Sequence, residues 1–443
     1  MIDGILAKIK QAGIVGAGGA GFPTAVKLKA APEYIVINGA ECEPLLQVDQ
    51  NLGAVFAGRL LKTLDLLVET LGAEKGIFAL KAKYKKAVAE LEKEVKPYSR
   101  LSVKTLGNYY PVGDEQVLVY ETLGRIVPEG GIPLACGVVV INVETLLNVA
   151  RALEENLPVT DKYLSVVGAV KNPTTFLAPV GLKYAHLIEA CGGATVPDPV
   201  LISGGPMMGR VETNLNAPVT KTSKGFIVLN RDHPLVVSKS RRLDEMMRIG
   251  QTACCHCMLC TDLCPRYLLG HRLHPDKLMR LAVYNSTCEK EESAARAFLC
   301  CECGLCELAC VMSLQPWKLH QALKTRLAAA GIKNTGGTAP AEVNPFRAYR
   351  QYPIPKLIQK TGLSQFAHQA APLIDYPGPA LEVKLMLKQH LGAPDVPTVA
   401  VGEKVTRGQL VASPAEGALG ANIHASISGV VKSIDQQAIV IGQ

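Results

Sequence analysis

Cys254-Cys-His-Cys257-Met-Leu-Cys260-Thr-Asp-Leu-Cys264-Pro265 and its echo Cys300-Cys-Glu-Cys303-Gly-Leu-Cys306-Glu-Leu-Ala-Cys310 each carry four thiols at the same x2, x2, x3 spacing, eight of the chain's 14 cysteines. Three thiolates on a tight loop cap three irons of a cubane, while the fourth ligates the other cluster in two-cluster ferredoxins. The spacing therefore predicts two [4Fe–4S] clusters with crossed ligation. Cys254, Cys257, Cys260 and Cys310 hold one; Cys300, Cys303, Cys306 and Cys264 hold the other. Structural zinc would need two Cys-x2-Cys pairs separated by a longer stretch. Disulfides would need an oxidising compartment, which nothing in the sequence suggests. Val311 stands where the first run has Pro265, and no ligand is lost by it. The extra thiols Cys255 and Cys301 occupy equivalent places and read as small buried neighbours. His256, His271 and His274 flank the first run and read mainly as hydrogen-bonding groups.

Around this electron-carrying segment, 443 residues exceed what one core supports, so several domains are expected. A 48% hydrophobic content with 19% charge describes a folded chain. Its net charge of +8 is scattered, without an aromatic-interleaved basic groove, which argues against nucleic acid. The most apolar stretch, residues 134–143, is about half of the ~20 residues a spanning helix requires. Asp3 comes early and no apolar h-region comes after it, so no signal peptide is expected and a cytosolic setting is predicted. Ile2, Ile5, Leu6 and Ile9 form the stripe of an amphipathic helix that packs on the first domain.

Residues 1–158 alternate strand-like and helical runs. Strands are expected at 34–37, 76–80 and 138–143, with helices at 51–71, 81–95 and 144–155. That alternation predicts an α/β domain on a largely parallel sheet. Residues 159–238 change pattern: a hairpin at 163–180, a helix at 186–191 and a strand at 199–203 suggest a small α+β module of the β-grasp type. Residues 239–330 are helical around the cysteine runs, with joining helices at 276–284 and 291–298. Residues 331–380, rich in Gly, Pro, Ala and Gln, read as a connector over the surface. Residues 381–443 read as short strands in a small all-β unit.

A second chemical signal is Gly16-Ala-Gly-Gly-Ala-Gly-Phe-Pro-Thr24, with Lys27 just beyond it. Glycines without Cβ atoms let backbone N–H groups approach a phosphate or a flavin ring. A helix precedes the loop, unlike the dinucleotide fingerprint, and no Gly-Lys-Ser/Thr succeeds it, unlike a Walker loop. Asn38-Gly-Ala-Glu-Cys-Glu-Pro44, Tyr110-Pro-Val-Gly-Asp-Glu115, Asn142-Val-Glu-Thr145 and Ser203-Gly-Gly-Pro-Met-Met-Gly209 complete the set.

With these motifs the chain resembles the FMN- and NADH-binding subunit of respiratory complex I. It resembles more closely the RnfC-like and PduS cobalamin reductase family. The resemblance implies an α/β and α+β multidomain protein: a complex I flavin-subunit-like domain, an SLBB β-grasp domain, a helical ferredoxin-like dicluster domain and a C-terminal sandwich-hybrid β domain. It implies that Gly16, Gly18 and Gly19 line the flavin and nucleotide, with Lys27 near the phosphates. Asn38 and Glu41 would hold the flavin, and Gly113, Asp114 and Glu115 would lie at the flavin and nicotinamide face. Asn142 and Thr145 would bind the FMN phosphate, and Glu43 and Tyr110 would contact NADH. Ala17 and Ala40 depart from an arginine and an aspartate of the complex I protein, and the four-cysteine motif that ends that protein is absent. No acceptor lysine of the lipoyl type stands in the turn at His424–Gly429. The implied activity is an NADH-dependent reductase passing electrons through FMN and two [4Fe–4S] clusters to cobalamin. Its implied partners are a corrinoid adenosyltransferase and microcompartment shell proteins, and an oligomer is compatible with the sequence. The alternative is an RnfC-like relay protein that carries electrons between protein partners.

Overall fold

The computed structural model describes residues 2–284, 291–334 and 336–443. Its first sheet is built from β1 (Tyr34–Gly39), β2 (Lys75–Lys81), β3 (Leu101–Leu106) and, beyond the two-residue β4 (Tyr109–Tyr110), β5 (Val138–Asn142). The order is β3-β2-β1-β5, with every pair parallel. Parallel strands are covered on both faces, so they read as continuous apolar runs. Ile35, Ile37, Phe78 and Ile141 point into one core, shared with helices Ile2–Gln11, Ala57–Leu71 and Val143–Glu154. Val36, Ala79, Val138 and Val140 point into the other, with Val117, Leu118 and Leu269.

Three expectations change here. The helix expected at 51–71 is two, Val48–Val55 and Ala57–Leu71, meeting at Phe56, whose backbone leaves the helical region (φ −115, ψ 21). The helix expected from 81 begins at Lys85, because Lys81 belongs to β2. β3 was not expected: it is the sheet's edge, and its Ser102, Lys104 and Thr105 lack a clean apolar pattern.

The second module contains β6 (Asp161–Gly168), β7 (Thr174–Pro179), β8 (Pro199–Ser203), β9 (Arg210–Glu212) and β10 (Gly225–Asn230). β6 and β7 form the expected hairpin, and β10 returns parallel to β6 in the sheet's middle, as a β-grasp fold requires. Helix Tyr184–Ala190 covers this sheet through Leu187 and Ile188.

The stretch 331–380 is not a loose connector. β11 (Tyr352–Pro353) pairs with β4, and β12 (Leu373–Asp375) extends the β-grasp sheet beside β7. Gln47 Nε2 donates to the Gln369 carbonyl, and Asn51 Nδ2 donates to that of Ala371, because the segment's backbone groups need partners where it crosses between domains. The C-terminal unit stacks a four-stranded antiparallel sheet on a three-stranded one around Val383, Leu385, Val411, Ile439 and Ile441.

Candidate functional site

The motifs gather at the C-terminal edge of the parallel sheet. β1 ends at Asn38-Gly39 and β5 at Asn142, and these neighbouring strands flank the point where strand order reverses. Ligands of open α/β sheets bind in the crevice at such a switch point. The glycine loop folds over it. A bridge between Val15 and Pro23 and a bond from Gly16 N to Phe22 O (2.9 Å) close its base. At its tip Ala17 N donates to Thr145 Oγ1 (2.9 Å), and a Cβ on Gly18 would lie 3.4 Å from the Asn142 side chain. Nothing stands within 4 Å of a Cβ placed on Gly19. Gly18, Gly19 and Ala20 are the exposed part of the loop, while Gly16 N and Ala17 N are already bonded within the protein.

Asn142 caps helix Val143–Glu154 by accepting from Glu144 N (3.0 Å), and its Nδ2 donates to Asp49 (3.2 Å). The first turn of this helix, Val143 to Thr145, is buried directly beneath the loop. Asn38 Nδ2 donates to Gly113 O (2.9 Å), while its Oδ1 accepts from Ala40 N (3.1 Å). A Cβ on Gly113 would lie 3.0 Å from Cys42 Sγ and 3.2 Å from Ala40 O, so a side chain there would press on the segment that follows β1. Ala17 and Ala40 are themselves buried.

Under the cradle lies a buried charge network that the sequence did not announce. Glu41 accepts from Asp49 N through one oxygen, and its Oε1 has no hydrogen-bond partner. Burial and the neighbouring Asp49 carboxylate push Glu41 well above the usual carboxylate range, against the pull of Lys224 and Lys81. Lys81 Nζ donates to Glu41 O (2.8 Å). Lys224 reaches in from the β-grasp module to Asp49 (2.5 Å), and Lys162 from the same module pairs with fully buried Glu144.

Five residues of the expected site are engaged by partners within the protein. Tyr110 is buried, and its hydroxyl donates to the carbonyl of Cys303 (2.7 Å), so it faces the dicluster domain. Glu43 accepts from the backbone N–H groups of Met207 and Met208 (2.8 Å each) and so holds the Ser203–Gly209 turn. Asp114 caps helix Glu115–Leu123 and is clamped by Arg266, whose Nη2 lies 2.9 Å from Oδ2. Burial alone would raise the Asp114 pKa, but Arg266 and two backbone N–H donors outweigh it and hold the carboxyl below its ordinary value. Lys27 and Glu115 pair with each other across 3.0 Å near the surface.

Both cysteine runs wind through left-handed residues at matching places, His256 and Met258 in the first, Glu302 and Gly304 in the second. The alternation turns successive thiols toward one side and lines up backbone N–H groups, as in anion-binding nests. Cys264, from the first run, lines one cavity with Cys300, Cys303 and Cys306, along with Cys301, Arg266, Trp317 and His320. Cys254 and Cys310 pack on one apolar cluster with Met246 and Leu314. The Cys260 thiol is pushed up to about 12 by burial, with Asp276, Cys310 and Cys257 adding to the effect. A zinc ion draws its sulfurs to ~2.3 Å, whereas a cubane takes each thiolate on a different iron. The donor set fits cubanes.

Cys301 lies partly buried at the cavity, but Cys255 is exposed, which overturns the expectation of a buried neighbour. His271 bonds the Val127 carbonyl at 2.9 Å, and His274 packs on Tyr267. Asp49, Lys81, Lys162, Lys224 and Arg266 had no sequence signal, since each finds its partner only through folding.

Residues 9–151 match the family model of the Nuo51 FMN-binding domain, and 163–211 that of the SLBB domain. Residues 253–315 match the 4Fe-4S dicluster domain, and 365–443 the RnfC barrel sandwich hybrid domain. Cobalamin reductase PduS of Salmonella typhimurium is 43% identical over 99% of this chain and 96% of its own. The protein of that name from Citrobacter freundii is 42% identical over 98% and 95%. A component of the Na(+)-translocating ferredoxin:NAD(+) oxidoreductase complex of Acetobacterium woodii is 36% identical over 60% of this chain and 58% of its own. A solved NAD+-reducing [NiFe]-hydrogenase aligns with 75% of this chain and 63% of its own, at a TM-score of 0.48 and 20% identity. FMN and [4Fe–4S] clusters are accordingly the cofactors of this chain.

Proposed function

The chain belongs to the PduS cobalamin reductase family, within the RnfC-like proteins, and from that premise we propose that it is an NADH-dependent reductase of cobalamin. The observation that carries the proposal is the direct link between the two cofactor regions. Tyr110 leaves the loop that packs on Asn38 and bonds the backbone of Cys303. When bound, FMN accepts the hydride of NADH, and the two clusters carry the electrons onward one at a time.

The protein's own part is to bind, orient and exclude. The Gly16–Gly19 loop holds the flavin nucleotide, with Asn142 and Thr145 fixing it above the N-terminus of helix Val143–Glu154. Asn38 and Gly113 form the wall behind the ring. Burial and the Asp49 carboxylate hold the Glu41 carboxyl well above its ordinary range, while Lys224 and Lys162 pair with the Asp49 and Glu144 carboxylates beneath the cradle. Arg266 and Asp114 clamp the dicluster domain against the flavin domain, and Cys264, Cys300, Cys303 and Cys306 hold the cluster on that side. Cys254, Cys257, Cys260 and Cys310 hold the outer one, where Cys257 is exposed.

Cobalamin as acceptor rests on the relatives named as cobalamin reductases. A corrinoid adenosyltransferase and microcompartment shell proteins are the partners that go with it, inside a cytoplasmic microcompartment. No helix among the described residues is long and apolar enough to cross a membrane. Anaerobic stopped-flow mixing with NADH tests the reading. Flavin bleaching, then cluster bleaching, then formation of cob(I)alamin is expected. The relay reading, favoured by Ala17 and Ala40 in place of charged residues, predicts no flavin bleaching by NADH.

A further inference from the structure

The glycine loop is held from outside its own domain. Lys221, in the β-grasp module, is 2% exposed, and its Nζ donates to Gly13 O (2.8 Å) and Asn422 O (2.5 Å). Its backbone N–H donates to Gln389 Oε1 (2.9 Å). One ammonium group thus joins the residue that leads into the loop to the C-terminal β domain. Gly13 sits at φ +65, and a Cβ there would meet Asn422 O at 2.1 Å and Lys221 Nζ at 2.8 Å. At the loop's far end Gly21 O accepts from Leu391 N (3.1 Å), and a Cβ on Gly21 would lie 3.0 Å from His390 Cα. Asn422 Nδ2 also reaches Gln11 O (3.3 Å). Both ends of the loop therefore rest on the C-terminal domain, while its tip, at Ala17 to Gly19, faces the switch point.

Burying a lysine is costly unless its donors are met. Burial lowers the Lys221 pKa to about 7, opposed by Asp395, whose two buried oxygens have no hydrogen-bond partner. His390 and His424 face the same group and are themselves depressed by burial. A contact kept at that cost has to hold something, and what it holds is the entrance to the flavin cradle.

We propose that Lys221 is a positioning residue for the flavin site, and that the C-terminal β domain serves as a brace for the glycine loop through the Gly13–Lys221–Asn422 junction. This rests on the reading that FMN lies on the Gly16–Gly19 loop. The test is FMN titration of full-length protein depleted of flavin but carrying its clusters, read by fluorescence quenching, with iron content measured in parallel. Lys221→Met should weaken FMN binding about tenfold, the loss expected for charge-assisted hydrogen bonds, with iron unchanged. Lys221→Arg should restore most of the affinity. Gly13→Ala attacks the junction from its other side and should reproduce the loss, and it decides the matter if Lys221→Met does not fold. Gly18→Val at the loop tip is the control. If it abolishes binding while Lys221→Met and Gly13→Ala leave it unchanged, the brace is overturned and the flavin site stands. If Gly18→Val also leaves binding unchanged, the site reading fails and the brace with it. Loss of iron and flavin together in Lys221→Met and Gly13→Ala would show a merely structural lysine and overturn the proposal.

Discussion

The two cysteine runs share one spacing and one pattern of left-handed turns, yet they occupy opposite environments. Three of the inner set, Cys264, Cys303 and Cys306, are buried, and the set is fastened to the flavin domain through Tyr110 and Arg266. The outer set has exposed Cys257, and exposed Met258, Leu259, Val311 and Met312 stand beside its thiols. Identical local geometry has been given two jobs by the environment around it. On the proposed path, the buried site next to the flavin loop is the entry for electrons and the site near solvent is the exit to an acceptor.

The sharpest way to break this contrast is Cys264→Ser. Although Cys264 lies in the first run, its loss should remove the inner cluster and lower iron from about eight to about four atoms per chain. Electron paramagnetic resonance should give the same surviving signal for Cys264→Ser and Cys300→Ser; two different survivors would refute crossed ligation. Asp114→Asn comes next. It strands the buried Arg266 guanidinium, and breaking a pair of this kind costs about 3–5 kcal/mol. Denaturation monitored by cluster absorbance should show the inner cluster region opening earlier, with the outer one less affected.

Tyr110→Phe is milder. It leaves the Cys303 carbonyl without its donor, worth ~1 kcal/mol. Cluster reduction by NADH should slow while FMN affinity holds; an unchanged rate would mean that the contact is only packing. The smallest effect belongs to Cys255→Ser. An exposed, unligated thiol should be replaceable within ~0.5 kcal/mol, with iron content intact. Loss of a cluster in that variant would make Cys255 a ligand and reopen the assignment of the outer set.

Legibility tracked locality. The α/β alternation of residues 34–155, the β6–β7 hairpin and the cysteine loops depend on residues near one another in sequence, so periodicity and spacing announce them. Edge strand β3 was missed because half of it faces solvent and alternates poorly. The helix break at Phe56 was missed because the apolar spacing runs straight through it. At the site, Asn38, Asn142 and the glycines came from motifs. The partners of Tyr110, Glu43 and Asp114 within the fold, Cys303, Met207 and Arg266, were not legible, since a motif names a residue without saying which way its polar atoms are drawn.

The sequence alone determined the two matching four-cysteine runs, the glycine-rich loop and the order of the domains. Only the tertiary structure decided which cysteines meet the flavin side and what holds the loop in place. The reason is distance along the chain. Asp114 and Arg266 are 152 residues apart, Tyr110 and Cys303 193, and Gly13 and Lys221 208. Contacts of that separation exist only once several domains have packed, and no local pattern encodes them.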